Sequence, residues 1–330
     1  MNIKAIQTKQ QKMIKKIQFK NRKTKNKGYN TIKKYNIAFN NFNKYIKEYN
    51  IQEITQSNIN NILEQYQQEY LAEYLTKDHK ELSNNTINQY MIIIRKLFTK
   101  GCKMELEKLE MLAVEKHDPK YINIQQYQAI QEYLETQTKK CNTKHQEKMM
   151  QTDATIINLL FNTGLRIHEA LKITIDEITK IEKDHNNNYQ LQVIGKGNKK
   201  KTIIITAPVY DAIMQYIKLF SKCEQKYVFE SDKNKHQPMA TRTIERHFNK
   251  IASAIDEQEN NDTNDANSYT NLLKPHNLRH SYAVHSLEKG IPINAVQKQL
   301  RHSSITTTQI YTELNSDGLS DAIANASLSQ

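Results

Sequence analysis

The chain has 330 residues, with 48 Lys and Arg against 35 Asp and Glu, a formal net charge of +13 and three cysteines. That length holds two domains with cores of their own, and the positive balance favours a phosphate polymer as partner. Cys102, Cys141 and Cys223 are too scattered for a metal motif or a disulfide framework, no apolar run approaches the ~20 residues of a membrane span, and the basic N-terminus has no apolar segment, so the expectation is a cytoplasmic protein with free thiols and no membrane association.

Residues 1–28 contain ten Lys or Arg and no acid; the first acid is Glu48. Such a run predicts a solvated basic arm, either passive or lying along a DNA backbone through Lys20, Arg22 and Lys23. From Tyr29 the pattern changes. Ile32, Tyr35, Phe39, Phe42, Ile46 and Tyr49 recur at steps of three and four, the mark of an amphipathic helix. Ser57 is placed to cap a second helix carrying Ile59, Ile62, Leu63, Tyr66 and Tyr70. Ser83 opens a third, with Ile87, Tyr90, Ile94, Leu97 and Phe98 inward and Arg95, Lys96 and Lys100 outward. Residues 29–102 therefore read as a small all-helical domain, with Arg95 as a candidate DNA contact. Residues 103–120, charged and closing on Asp118-Pro119, read as a linker to a larger domain over 121–316.

In that domain, residues 151–161 form a buried helix that Asn162-Thr163-Gly164 stops, and Leu165-Arg166-Ile167-His168-Glu169 opens the next. An arginine just after a glycine turn, beside the free N–H groups of a helix start, suits an anion. Tyr189, Leu191 and Val193 alternate with Gln190 and Gln192 as a strand. Gly195 to Lys200 makes the turn and Thr202 to Thr206 the return strand. Residues 208–221 read as a helix, Tyr227 to Phe229 as a short strand, and Thr241 as the start of a helix with Ile244, Phe248, Ile251 and Ile255 inward. Arg242, off that apolar face, is a further candidate DNA contact. Residues 256–271, rich in Asn and Asp, read as a flexible loop. The fold class expected is mainly α with a small β-sheet.

The densest stretch runs from His276 to Tyr311. His276-x-x-Arg279-His280 opens one helix, Gly290 and Pro292 punctuate, Ile293 to Leu300 makes another, His302 follows it, and Ser303 and Ser304 are caps for a third carrying Tyr311. Phosphate-binding groups thus recur at successive helix ends.

Three strings together resemble the tyrosine recombinases, the family of phage integrases and Xer-type resolvases. TGLRIHEAL, residues 163–171, is similar to the family's first arginine box. IGKGNKKK, residues 194–201, resembles the hairpin that carries its catalytic lysine. His276-x-x-Arg279, then His302 and a tyrosine nine residues on, resemble its closing motif. One departure stands out: Arg301 occupies the place of the family's glycine before that histidine.

The resemblance implies an all-helical core-binding (SAM-like) DNA-binding domain at 29–102 and a mixed α/β catalytic domain at 121–316. It implies Arg166, Lys196, His276, Arg279, His302 and the nucleophile Tyr311 as catalytic residues, with Glu169 as a supporting acid. Lys199, Lys200 and Lys201 compete with Lys196, and Lys199 is a candidate DNA contact. The chemistry agrees with the residue types. Arginine forks match phosphate oxygens and stay charged. A tyrosine of pKa near ~10 needs a base or a cationic field to become a nucleophile, and His276 is the candidate base. Lys196 suits the acid that protonates the leaving 5′-oxygen. No acidic cluster for Mg²⁺ lies near these motifs, so no metal and no cofactor are expected. The implied function is site-specific recombination: double-stranded DNA is cleaved and rejoined through a 3′-phosphotyrosyl bond by a homotetramer on two DNA sites, nucleoid-associated in the cytoplasm. Residues 317–330 would form a tail helix, lent to a neighbouring subunit or folded back. The alternatives are a type IB topoisomerase-like or telomere-resolving enzyme, and a DNA-binding relative without catalysis.

Overall fold

The computed structural model describes residues 1–23, 29–72, 82–115, 118–194, 200–222, 224–259, 261–263 and 265–301. The chain divides into two units, Met1–Lys116 and His117–Gln330.

The first unit is helical throughout. Helix α1 spans Ile3–Lys23, α2 Tyr29–Glu48 and α3 Ile59–Gln65, which runs on into a π-helical segment Tyr66–Leu71. Helix α4, Asn84–Lys96, is capped by the Ser83 side chain and ends in a second π-helical turn, Leu97–Gly101. The three-and-four spacing on α2 delivers Phe39, Phe42 and Ile46 to one buried face. There Phe42 meets Tyr66 and Phe98 edge to face, with centroids 5.0 and 5.7 Å apart. Asn58, not Ser57, occupies the cap position of α3.

The N-terminal arm is not loose. Residues 3–23 form α1, with Ile6 and Gln10 buried. The side-chain amides of Gln10 and Asn43 exchange two hydrogen bonds of 3.1 Å, and the Met1 amino group donates to the Ile54 carbonyl at 2.5 Å. The physical reason lies between the lysines: Ile3, Ile6, Gln10, Ile14 and Ile17 fall at helical steps and form a stripe that packs on the unit's core. Residues 103–115, expected as a linker, have no regular structure but are strapped to the same unit. Asn88 brackets Leu112, donating to its carbonyl at 2.9 Å and accepting from its N–H at 3.0 Å. Gln56 brackets Glu105 in the same way.

The second unit is built around α6, Lys144–Thr163, which packs against α5 (Ile124–Lys139), α9 (Ala207–Phe220) and α12 (Pro275–Glu288). Between α6 and α9 come two short helices, α7 (Ile167–Ala170) and α8 (Ile175–Thr179), and an antiparallel hairpin. Its strands, β1 (Tyr189–Ile194) and β2 (Lys200–Ile205), run in register from Tyr189 opposite Ile205 to Ile194 opposite Lys200. Leu191, Val193, Ile203 and Ile205 face the core, as the period of two requires. Helix α10 (Thr241–Glu259), α11 (Tyr269–Leu272) and α13 (Ile293–Leu300) complete the described part.

Two local expectations change here. Tyr227 forms a single bridge with Thr174 in place of a strand. The Asn/Asp-rich segment is organised by Asp256, a buried residue of α10 whose carboxylate accepts from the N–H groups of Tyr269 and Thr270, both at 2.8 Å. That carboxylate anchors the first turn of α11. Among the described residues, no helix is long and apolar enough to cross a membrane.

Candidate active site

The site begins at the end of α6. Gly164 closes that helix at φ +63°, and a Cβ on it would lie 2.5 Å from Leu300 Cδ2 and 2.7 Å from Tyr282 Cδ1. Only glycine meets both conditions. The chain then turns through Leu165 to Arg166, which is extended and starts α7. Glu169 secures it. One carboxylate oxygen accepts the Arg166 backbone N–H at 2.9 Å, and the other faces its Nη1 at 3.4 Å. The Glu169 side chain is 1% exposed and that of Arg166 35%, so the carboxylate is sealed in while the guanidinium keeps a solvent face.

Helix α12 supplies the next groups. Arg279 is buried and donates from Nη1 to the Gly164 carbonyl and from Nη2 to the Leu300 carbonyl. It thereby ties the arginine turn to the end of α13. His276, one turn earlier, keeps an exposed edge. Partial burial, then Arg279 and Arg166, hold its imidazole below the ordinary histidine range. His280 stacks on it at 5.9 Å and is pushed down to about 4 by burial, His276 and Arg279. The lowering favours the neutral form of both imidazoles, and a neutral His276 can accept a proton.

Two further residues carry weight that their sequence positions did not suggest. Gln299 accepts the Ile204 N–H at 2.9 Å and donates to the carbonyls of Ile204 (2.9 Å) and Thr163 (3.3 Å), joining β2, α13 and the end of α6. Arg301 ends α13 in the left-handed region, at φ +58°, and its Nη2 donates to Glu169 at 2.5 Å. Its only sequence signal was its place as a departure from the family pattern.

The structure therefore brings together Arg166, Glu169, His276 and Arg279. Lys196, Lys199, His302, Tyr311 and residues 317–330 lie outside the described residues. Of the candidate DNA contacts, Lys20, Arg22 and Lys23 fall within α1 and Arg242 is exposed on α10. Arg95 donates to the Glu107 carbonyl at 2.6 Å, which engages it in strapping residues 103–115.

Comparison with known proteins gives the family of the chain. Residues 120–317 match the model of the phage integrase family, and residues 12–118 that of the phage integrase SAM-like domain. The tyrosine recombinase XerA of Pyrococcus furiosus is 30% identical over 177 residues, covering 53% of this chain and 55% of that protein. The tyrosine recombinase XerD of Halalkalibacterium halodurans is 30% identical over 176 residues, covering 52% of each. The chain thus spans about half the length of the curated relatives it matches. Among solved structures, the XerH site-specific recombinase bound to palindromic difH substrate in a post-cleavage complex superposes with a TM-score of 0.61 at 19% identity, covering 89% of this chain and 79% of that one. The Tn1549 transposon integrase in complex with transposon right end DNA gives 0.57 at 17% identity, covering 88% and 99%. With more than half of its residues matched by one family model, and with a mainly helical fold carrying a two-stranded sheet, the chain belongs to the phage integrase family of tyrosine recombinases.

Proposed function

We propose that this protein is a site-specific DNA recombinase that cleaves and rejoins double-stranded DNA through a 3′-phosphotyrosyl intermediate on Tyr311. The observation that carries the reading is the junction of α6, α12 and α13. There Arg166 and Arg279 converge on one turn, with His276 beside them and its neutral form favoured by burial and the two arginines. Two fixed guanidinium groups stabilise the charge that grows on a phosphoryl centre under attack, and they are worth more in a partly dry site than in water. His276 takes the phenolic proton of Tyr311. Lys196 protonates the departing 5′-oxygen, His302 hydrogen-bonds a non-bridging oxygen, and Glu169 fixes Arg166. DNA complexes of the XerH recombinase and the Tn1549 integrase support the choice of substrate. The helical unit grips DNA together with Arg242 and the basic α1. The working assembly is a homotetramer on two sites, acting in the cytoplasm where that DNA lies.

A nicked suicide substrate tests this. Cleavage releases a short 5′-hydroxyl strand and traps protein on the 3′ phosphate. Wild type is expected to give a slow-migrating adduct in the presence of EDTA, and Tyr311→Phe none. An adduct that survives in Tyr311→Phe, or that maps to a 5′ phosphate, overturns the mechanism.

A further inference from the structure

Arg301 sits where local physics is least hospitable to it. Its backbone is left-handed, at φ +58° and ψ +38°, a conformation that glycine adopts freely and a long side chain adopts with strain. The side chain is 3% exposed, so a cation has been taken out of water. Only one of its nitrogens is compensated among the described residues: Nη2 meets Glu169 at 2.5 Å, while Nε and Nη1 are buried without a partner. Packing alone does not select such a residue. Strain and a half-answered buried charge gather where a geometry has to be held.

The geometry held is that of Arg166. Glu169 is shared: its Oε2 accepts both the backbone N–H of Arg166 at 2.9 Å and Nη2 of Arg301 at 2.5 Å, and its Oε1 faces the Arg166 guanidinium at 3.4 Å. Without Arg301 the carboxylate would be tied only to the turn that carries Arg166 itself. Clamped by a second guanidinium anchored at the end of α13, it becomes a fixed post. Arg279 spans the same two chain segments through the carbonyls of Gly164 and Leu300. The arginine turn and the end of α13 are thus joined twice, once through carbonyls and once through a carboxylate.

We propose that Arg301 is a positioning residue for Arg166, acting through the Glu169 carboxylate that the two guanidinium groups share. The proposal rests on the recombinase reading above and deepens it. It makes the arginine next to His302 part of the machinery without contact with DNA.

The test is single-turnover cleavage of the suicide substrate by the full chain. It compares wild type with R301G, R301K, E169Q and the double variant R301G/E169Q. Glycine suits the left-handed backbone, so R301G removes the side chain without adding strain. Its melting temperature is expected to fall, since one member of a buried pair is removed, while its affinity for a single site stays at the wild-type level below that temperature. Its cleavage is expected to slow about 100-fold, the scale of an ångström-size misplacement of a catalytic group. R301K, which keeps a donor within reach of Glu169, should recover part of the rate. Because both residues act on Arg166 by one route, the double variant should be no slower than the slower single variant. Wild-type cleavage by R301G overturns the proposal. So do losses that multiply in the double variant, which would place Arg301 on the substrate itself, and so does a loss of single-site affinity in R301G that matches its loss of rate. If R301G melts below the assay temperature, the same cycle is run with R301K and E169Q. A wild type that forms no adduct sinks the recombinase reading. A wild type that forms one while R301G matches it sinks this proposal alone.

Discussion

In the first unit the interior is made of rings. Phe42, Tyr45, Tyr66, Tyr70 and Phe98 interlock, and the buried polar side chains among the described residues are the uncharged Gln10, Gln67 and Asn88. In the second unit the interior also takes in Asp153, Glu169, Asp256, Arg279 and Arg301. Each of these buried charges has an answering group. Asp153 meets His247 at 3.0 Å, Asp256 holds two backbone N–H groups, Glu169 holds two arginines, and Arg279 holds two carbonyls. A buried ion pair adds little net stability compared with apolar packing, but removing one member is costly. The first unit is therefore built for shape and the second for the placement of charge, and substitutions should separate the two designs.

The largest separation is expected at Arg279. In Arg279→Ala the carbonyls of Gly164 and Leu300 lose their donors inside the protein, a loss of about 2–5 kcal/mol of stability. Cleavage should also fall about 10²–10³-fold, by analogy with the loss of an oxyanion donor. Arg166→Ala should show the same loss of rate with a nearly unchanged melting temperature, since its guanidinium keeps a solvent face. Urea denaturation alongside single-turnover cleavage measures both. Equal stabilities for the two variants would dissolve the contrast between a charge that builds the fold and one that only serves the reaction.

The counterpart in the first unit is Phe42→Ala. Removing a ring with 0% exposure should cost about 3–5 kcal/mol, since the cavity is walled by other rings that cannot collapse. The denaturation transition of the first unit should move and that of the second should stay. A shared shift would show that the two interiors are not independent.

A pH titration separates them next. His280 belongs to the second unit, and its folded-state value of about 4 lies below the ~6.5 of an unfolded histidine. Between those values the unfolded chain binds more protons, so stability is complete above pH ~6.5 and is lost as the pH falls through this window, by up to about 3 kcal/mol. His276, lowered for a similar reason, acts in the same direction. His280→Gln should flatten the acid limb of the second unit's stability and leave the first unit's unchanged. A first unit that softens equally over the same range would contradict the assignment.

How far the sequence reveals these designs depends on how local the physics is. Gly164 and Arg166 are legible because a left-handed turn, a helix start and a cap are properties of a few adjacent residues. The aromatic face of α2 is legible from its spacing. Arg301 is not, because neither its backbone angle nor its partner, Glu169, can be read from its neighbours. Gln299 and Asp256 are hidden for the same reason: their roles are hydrogen bonds to backbone that only the folded chain brings close. Helix α1 was obscured differently. Its lysines dominate the composition, so an apolar stripe from Ile3 to Ile17 reads as a solvated tail until the partner face on α2 is known.

That helix gives the smallest and most selective prediction. Ile6 and Gln10 point into the unit while Lys12, Lys15 and Lys16 are exposed, so the apolar and basic roles lie on separate side chains. Truncating residues 1–23 would mix the two, since it also removes core. Replacing Lys12, Lys15 and Lys16 by glutamine keeps length and helix propensity, and exposed substitutions of this kind shift stability by no more than about 0.5 kcal/mol. If the three lysines neutralise DNA phosphates, each releases about 0.9 of a counterion on binding, so the log–log salt slope of DNA affinity should fall by up to about 3. Cleavage within a complex already formed should not change. A lower slope at constant stability would put the first unit's charge to work on its outside, the converse of the second unit. An unchanged slope would leave α1 a purely structural helix, with the DNA grip to be sought on other faces.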